Sequence, residues 1–176
     1  METTAAQDLD VAQAREFGHQ WMDAWNRKDA EALLGLMTDD IAYDDPAWPE
    51  TIHGKEGVRG FTTAMWKAMP DMHFTEPMGM FFAQEGPRVV APWHMTATFT
   101  GRLDPPGFAP TGDRVAIDGV DIWELRDGKA CRYWAHYDSM EIARQVGSMP
   151  PRGSRAERAS AKLQNVMAAA RRRRNA

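Results

Sequence analysis

A single cysteine, Cys131, stands in 176 residues. No intrachain disulfide can form, which fits a reducing, cytoplasmic setting. No apolar run is long enough to span a bilayer. The first eight residues have neither a basic start nor an apolar stretch, so no secretory signal is expected. The five histidines are scattered at positions 19, 53, 73, 94 and 136. No metal-ligand spacing, phosphate-cradling loop or dinucleotide fingerprint occurs, so neither a metal nor a cofactor is expected.

The charge is small but uneven. The net value is −4, yet residues 152–174 carry eight Arg/Lys against one acid, Glu157. That segment is +7 and the remainder −11. A basic tail on an acidic body can dock on the body, on a partner subunit or on an external polyanion. The run Arg171-Arg172-Arg173-Arg174 reads as a solvated end. Nucleic-acid binding is not expected, because no recognition module or basic–aromatic surface accompanies the run.

What the chain does have is 43% hydrophobic and 26% charged residues, the balance of one soluble globular domain. Two aspartates sit on faces meant for apolar residues. Asp45 follows Ile41 and Tyr43 at period two. Asp121 shares its face with Val115, Ile117, Trp123 and Leu125. A carboxyl there is costly unless it is hydrogen-bonded, paired or protonated. Such groups are candidates for acid/base chemistry, and the plain alternative is an aspartate satisfied by backbone N–H groups.

Ala14, Phe17, Trp21 and Trp25 predict a helix over residues 8–27. Asp29 caps a second helix through Leu33, Leu34 and Met37. A short strand ends at Asp45-Pro46. His53 reads as a loop residue beside Gly54. Val58, Phe61, Met65 and Met69 give a third helix, stopped at Pro70-Asp71. From Met72 the period is two, with Phe74, Met78, Met80 and Phe82 on one face. A strand from Arg88 to Arg102 follows, then a Pro/Gly-rich loop over 103–112. Two further strands meet at a turn over Arg126-Asp127-Gly128-Lys129. In the last, Cys131, Tyr133, Ala135 and Tyr137 point inward, while His136 and, on the earlier strand, His94 point away. Ser154-Arg155-Ala156-Glu157 opens a tail helix with a stripe of Leu163, Val166, Met167 and Ala170. Helices before long antiparallel strands argue for an α+β fold.

The ordered set Trp25-Asn26-Arg27-Lys28-Asp29, Tyr43-Asp44-Asp45-Pro46, His53-Gly54, Met69-Pro70-Asp71, Thr98-Phe99-Thr100-Gly101, Pro110-Thr111-Gly112, Asp127-Gly128-Lys129, Trp134…Asp138 and Gln145-Val146-Gly147 resembles the SnoaL-like polyketide cyclases. These belong to the wider ketosteroid isomerase and nuclear transport factor superfamily. The resemblance covers about residues 12–148. It implies a cone-shaped roll, with a strongly bent, mostly antiparallel sheet around the N-terminal helices and a deep apolar pocket. It implies a domain over 1–148 with 149–176 as a basic helical tail, and a homodimer.

By the same resemblance, Asp45 falls at the isomerase's general base. Asp121 falls at the isomerase's protonated oxyanion acid, which is the cyclases' acid/base aspartate. Trp21 replaces the isomerase's oxyanion tyrosine, and Phe99 replaces a cyclase histidine. Trp93 and Met95 stand where epoxide hydrolases of this fold carry a water-activating pair, so that chemistry is not expected. The candidate catalytic residues are therefore Asp121 and Asp45. The candidate substrate contacts are Trp21, Trp48, Phe61, Met65, Trp93, Met95, Phe99, Trp123, Tyr133 and Tyr137. Trp25 and Trp134 read as packing.

The expected activity is cofactor-free cyclase or isomerase chemistry, of the aldol or enolisation type, on an apolar polyketide-like or polycyclic carbonyl compound. The alternatives are a non-catalytic binding or assembly module, or proton transfer on a steroid or terpenoid.

Overall fold

The computed structural model describes residues 10–104 and 107–174. The first nine residues, Pro105 and Pro106 of the expected loop, and the last two residues of the tail lie outside them.

The first helix, α1 (Val11–Arg27), starts where the Asp10 carboxylate accepts from the backbone N–H groups of Ala12 and Gln13. It ends at Lys28 in the left-handed region. One face buries Ala14, Phe17, Trp21, Ala24 and Trp25, as the spacing predicts. Asp29 caps α2 (Ala30–Gly35). This helix is shorter than expected, because Met37 already belongs to strand β1 (Met37–Asp44). Met37 is pulled into the strand by pairing with Ala130. A short β2 (Ile52–His53) follows, so His53 is a strand residue rather than a loop residue. Then comes α3 (Gly54–Ala68).

The single strand expected from Met72 is broken. Only β3 (His73–Thr75) and β4 (Phe81–Phe82) pair with the sheet. Met78 is exposed and Met80 buried, so they do not share a face. The long strands are β5 (Arg88–Thr98), β6 (Arg114–Arg126) and β7 (Lys129–Tyr137). They are followed by α4 (Ser139–Gln145) and α5 (Arg155–Arg174).

The strands form one curved, unclosed sheet in the order β2-β1-β7-β6-β5-β3, with β4 also on β5. All pairs are antiparallel except β1 with β7. The fold is α+β, with α1 and α3 packed into the concave side over one continuous core. A two-residue turn joins β6 to β7, with Asp127 and Gly128 both at positive φ. Beside this turn the register slips by one residue, from Glu124 opposite Arg132 to Leu125 opposite Ala130. Cys131 is the extra residue of that bulge. Its thiol is half-buried and donates to the Glu124 carbonyl at 3.3 Å, and Ala130 takes the inward place expected for Cys131.

Three joints tie α1, the turn after α3, and α4 to the sheet. Asn26 at the end of α1 bonds both backbone groups of Phe74 in β3, accepting at 2.7 Å and donating at 3.0 Å. Asp71 accepts from the Thr98 N–H and hydroxyl at 2.7 and 2.6 Å. Gln145 of α4 bonds both backbone groups of Ala116 in β6.

Candidate active site

The register of the central strands builds the site in rows. Asp121 lies opposite Ala91 on β5 and Ala135 on β7. Two alanines beside it leave space above the carboxyl, and both line the resulting cavity. One row along, Gly119 lies opposite Trp93 and Tyr137. In the other direction Trp123 lies opposite Val89 and Tyr133.

Same-face diagonal neighbours in a sheet are within reach of large side chains. Trp93 and Tyr133 use that geometry. The Trp93 indole N–H donates to Asp121 Oδ1 at 2.7 Å, and the Tyr133 hydroxyl donates to the same oxygen at 2.8 Å. Among the described residues, Oδ2 receives no hydrogen bond. Gly119 makes the Trp93 contact possible, because a Cβ there would overlap the benzo edge of the indole.

Asp121 is 8% exposed, and among the described residues only it and Thr62 are buried polar side chains. Loss of hydration pushes its pKa up to about 7; the Trp93 and Tyr133 hydrogen bonds oppose this and the nearby Asp45 charge adds to it. The Trp21 indole also favours the charged form, as the smallest of these influences. Among the described residues, the N–H groups of Trp21 and Trp123 and the Tyr43 hydroxyl are buried without hydrogen-bond partners.

Asp45 is placed by the turn that ends β1. Its carbonyl accepts from the Trp48 N–H at 2.9 Å, and its Oδ1 accepts from the Ala47 N–H at 2.8 Å. Pro46 supplies the fixed φ between them. The Tyr137 hydroxyl also donates to Oδ1, at 2.6 Å. Part of the residue reaches solvent, yet the carboxyl is deep enough for burial to raise its pKa. Burial likewise raises the phenols of Tyr43, Tyr133 and Tyr137, so they stay protonated, and Tyr133 and Tyr137 serve as donors.

Asp45 and Asp121 line one cavity of about 100 Å³. Trp21, Phe61, Met65, Trp93, Met95, Trp123, Tyr133 and Tyr137 line it with them. Trp48 and Phe99 do not. They line an adjoining outer cavity of about 420 Å³, because the turn after Asp45 and the end of β5 carry them past Tyr137. Trp25, read as packing, reaches the inner wall. His94 and His136 face away from this cavity, and His94 bonds Asp118 at 2.7 Å.

Sequence reasoning missed Met22, Met69, Leu103 and Ile142 as lining. It also missed the pairing of each aspartate with its own aromatic donors, a signal present in the alternation once the register of β5, β6 and β7 is known. Among the described residues no three His, Cys, Asp or Glu side chains gather as a metal site requires.

An α+β roll with one buried and one half-buried carboxyl in an apolar, aromatic chamber has the concave, mostly apolar form of a small-molecule site. Residues 19–133 match the SnoaL-like domain, and the chain belongs to that family. No curated protein matches it. Among solved structures, it resembles TsrD from Streptomyces laurentii with a TM-score of 0.69 and 22% identity, over 81% of this chain and all of that one. AclR from Streptomyces galilaeus, described as a "putative hydroxylase", superposes with a TM-score of 0.68 and 23% identity, over 91% of this chain and 97% of that one. A "putative polyketide cyclase" from Xanthomonas campestris pv. campestris gives 0.68 and 23%, over 77% and 98%. These likenesses establish the shared fold.

Proposed function

We propose that this protein is a cofactor-independent cyclase or isomerase that moves protons on an apolar polyketide-like or polycyclic carbonyl compound. One observation carries the reading. The Asp121 carboxyl sits in an apolar chamber with both donors on Oδ1, its pKa raised to about 7. A group poised near neutrality with one oxygen uncommitted is suited to giving and taking a proton.

In this reading Asp121 protonates the carbonyl oxygen through Oδ2 as the enol forms. Asp45 takes the proton from the adjacent carbon. In a cyclase the enol carbon then closes on a second carbonyl of the same molecule, as the enol O–H returns its proton to Asp121 and the new alkoxide takes the proton held by Asp45. In an isomerase Asp45 gives that proton to a different carbon as Asp121 recovers its own from the enol. Positioned acid/base catalysis of this kind contributes typically ~10²–10⁴-fold. The aromatic walls hold a flexible substrate folded, which adds a proximity effect. The polyketide assignment draws support from relatives whose names carry that substrate class.

A binding module would need the chamber alone. The two readings separate on a titration of the Asp45 and Asp121 carboxyl carbons by NMR, assigned with asparagine variants. The acid/base reading expects Asp121 to titrate near 7 and Asp45 above the usual aspartate range. If both titrate near 4, the proposal fails and the binding module takes its place.

A further inference from the structure

The outer cavity has no part in proton transfer, yet it is the larger space. Its wall is almost wholly apolar. Trp48 comes from the turn after Asp45, Phe99 from the end of β5, Phe108 from the loop between β5 and β6, and Ala143 and Val146 from α4 and its C-cap. It adjoins the inner chamber along a shared wall. Ala47, Met69, Leu103, Tyr137 and Ile142 line both. Tyr137 stands at the junction, with its hydroxyl held on Asp45.

The volumes decide what each space can hold. A cavity of ~150 Å³ takes a benzene ring. The inner chamber, at about 100 Å³, is smaller than that and has room for a short carbonyl segment and no more. The outer cavity, at about 420 Å³, has room for several times that. A compound small enough to lie wholly beside Asp121 would leave the larger apolar space to water. Phe108, 43% exposed at the rim, would stay open to water.

We propose that the outer cavity is the second subsite of the same binding site, and that the ligand is an elongated apolar carbonyl compound. Its reactive carbonyl segment lies between Asp121 and Asp45. Its aliphatic or aromatic arm runs past Tyr137 to Trp48, Phe99 and Phe108. The inference rests on the acid/base reading for the inner end only. The arm carries no polar group that needs a strong partner, because this wall offers little beyond the hydroxyls of Ser139 and Ser148.

The test uses phenol, 4-butylphenol and 4-octylphenol, whose hydroxyl mimics an enol and whose chain measures the outer space. Affinities are taken by calorimetry on the full chain at neutral pH. Burying methylenes should raise affinity at least ~30-fold from phenol to 4-octylphenol. Ala143→Trp fills the outer cavity and should cut that ratio at least ~10-fold. Phe108→Ser, at an exposed loop position where folding is not at stake, should cut it at least ~3-fold. A ratio near one in the wild type, or a ratio that neither variant lowers, overturns the proposal.

Asp121→Asn separates this from the reading of the inner end. If it leaves phenol binding and its pH dependence unchanged while Ala143→Trp still cuts the ratio, the subsite stands and the acid/base reading falls.

Discussion

Asp121 decides how this molecule should respond to pH. In the unfolded chain its carboxyl loses its proton near 3.8, and in the fold only near 7. Between those values the folded state binds more protons, so stability falls as pH rises. The full effect of such a shift is about 4 kcal/mol. Asp45, also raised by burial, acts in the same direction. Asn at 121 keeps an acceptor for Trp93 and Tyr133 but cannot ionise. Relative to wild type, Asp121→Asn should therefore gain stability steadily from pH 4 to pH 7, with no further gain above. Urea unfolding of both proteins at pH 4, 6 and 8 checks this, and parallel curves would show that Asp121 is hydrated. The aspartates were legible in the sequence because a charge on an apolar face breaks the alternation. Their donors were not, since Trp93 and Tyr133 are 28 and 12 residues from Asp121 and reach it only across strands.

At the scale of elements, β5 explains both a success and a failure of the sequence reading. Its alternation is clean in sequence, and the structure keeps it except at Pro92, which is buried between Ala91 and Trp93. Pro92 lies in mid-strand, where it cannot donate to a neighbour. The register resolves this. Val90 pairs with β4 and His94 with β3, so Pro92 falls between the two. The strand expected from Met72 breaks where β5 offers no N–H to hold it. The bulge at Cys131 was equally hidden, because parity assumes an unbroken ladder. Several motifs that carried the resemblance turn out to be joints: Asn26, Asp71 and Gln145 each tie one segment to a strand backbone. Gly119 has no room for a side chain. An inward methyl there meets the Trp93 ring, and the strands on either side prevent a backbone shift. Gly119→Ala should destabilise by ~1–3 kcal/mol through overpacking. Adding Trp93→Phe removes the colliding benzo edge, so the double variant should lose less than the sum of the two single variants. Thermal unfolding of the three proteins measures the coupling. Strict additivity would show that the indole does not rest on Gly119.

At the scale of the whole molecule, the chain divides by how its helices are stabilised. Both α1 and α3 bury a face in the core. By contrast, α5 buries nothing. Leu163, Val166 and Met167 are 61%, 67% and 63% exposed, and no residue of this helix is buried. Its ties to the body are sparse. Arg152, just before it, pairs with Asp138 and Glu141, surface pairs worth little. Helicity in α5 therefore rests on local terms. Six alanines favour it. The Ser154 hydroxyl accepts from the Glu157 N–H, and Glu157 accepts from the Gly153 N–H, which caps the start. Four arginines in the last turn suit the negative end of the dipole. An isolated 20-residue helix on such terms is marginal in water. Its amide protons should therefore exchange within about the time of local fraying, while those of β5 and β6 exchange only on global unfolding. Hydrogen exchange read by NMR makes the comparison within one sample. Cutting the chain after Met149 should then leave the urea midpoint of the body within the range that lost surface pairs allow, under ~1 kcal/mol. Global-level protection of Leu163 and Val166 would overturn this. It would mean that the apolar stripe is covered, and an acidic body of −11 facing a tail of +7 makes a second copy of the chain the surface to look for. Sedimentation of the full and shortened chains would then separate docking on a second copy, which is lost on truncation, from folding back onto the same body, which is not accompanied by a change in mass beyond the missing segment.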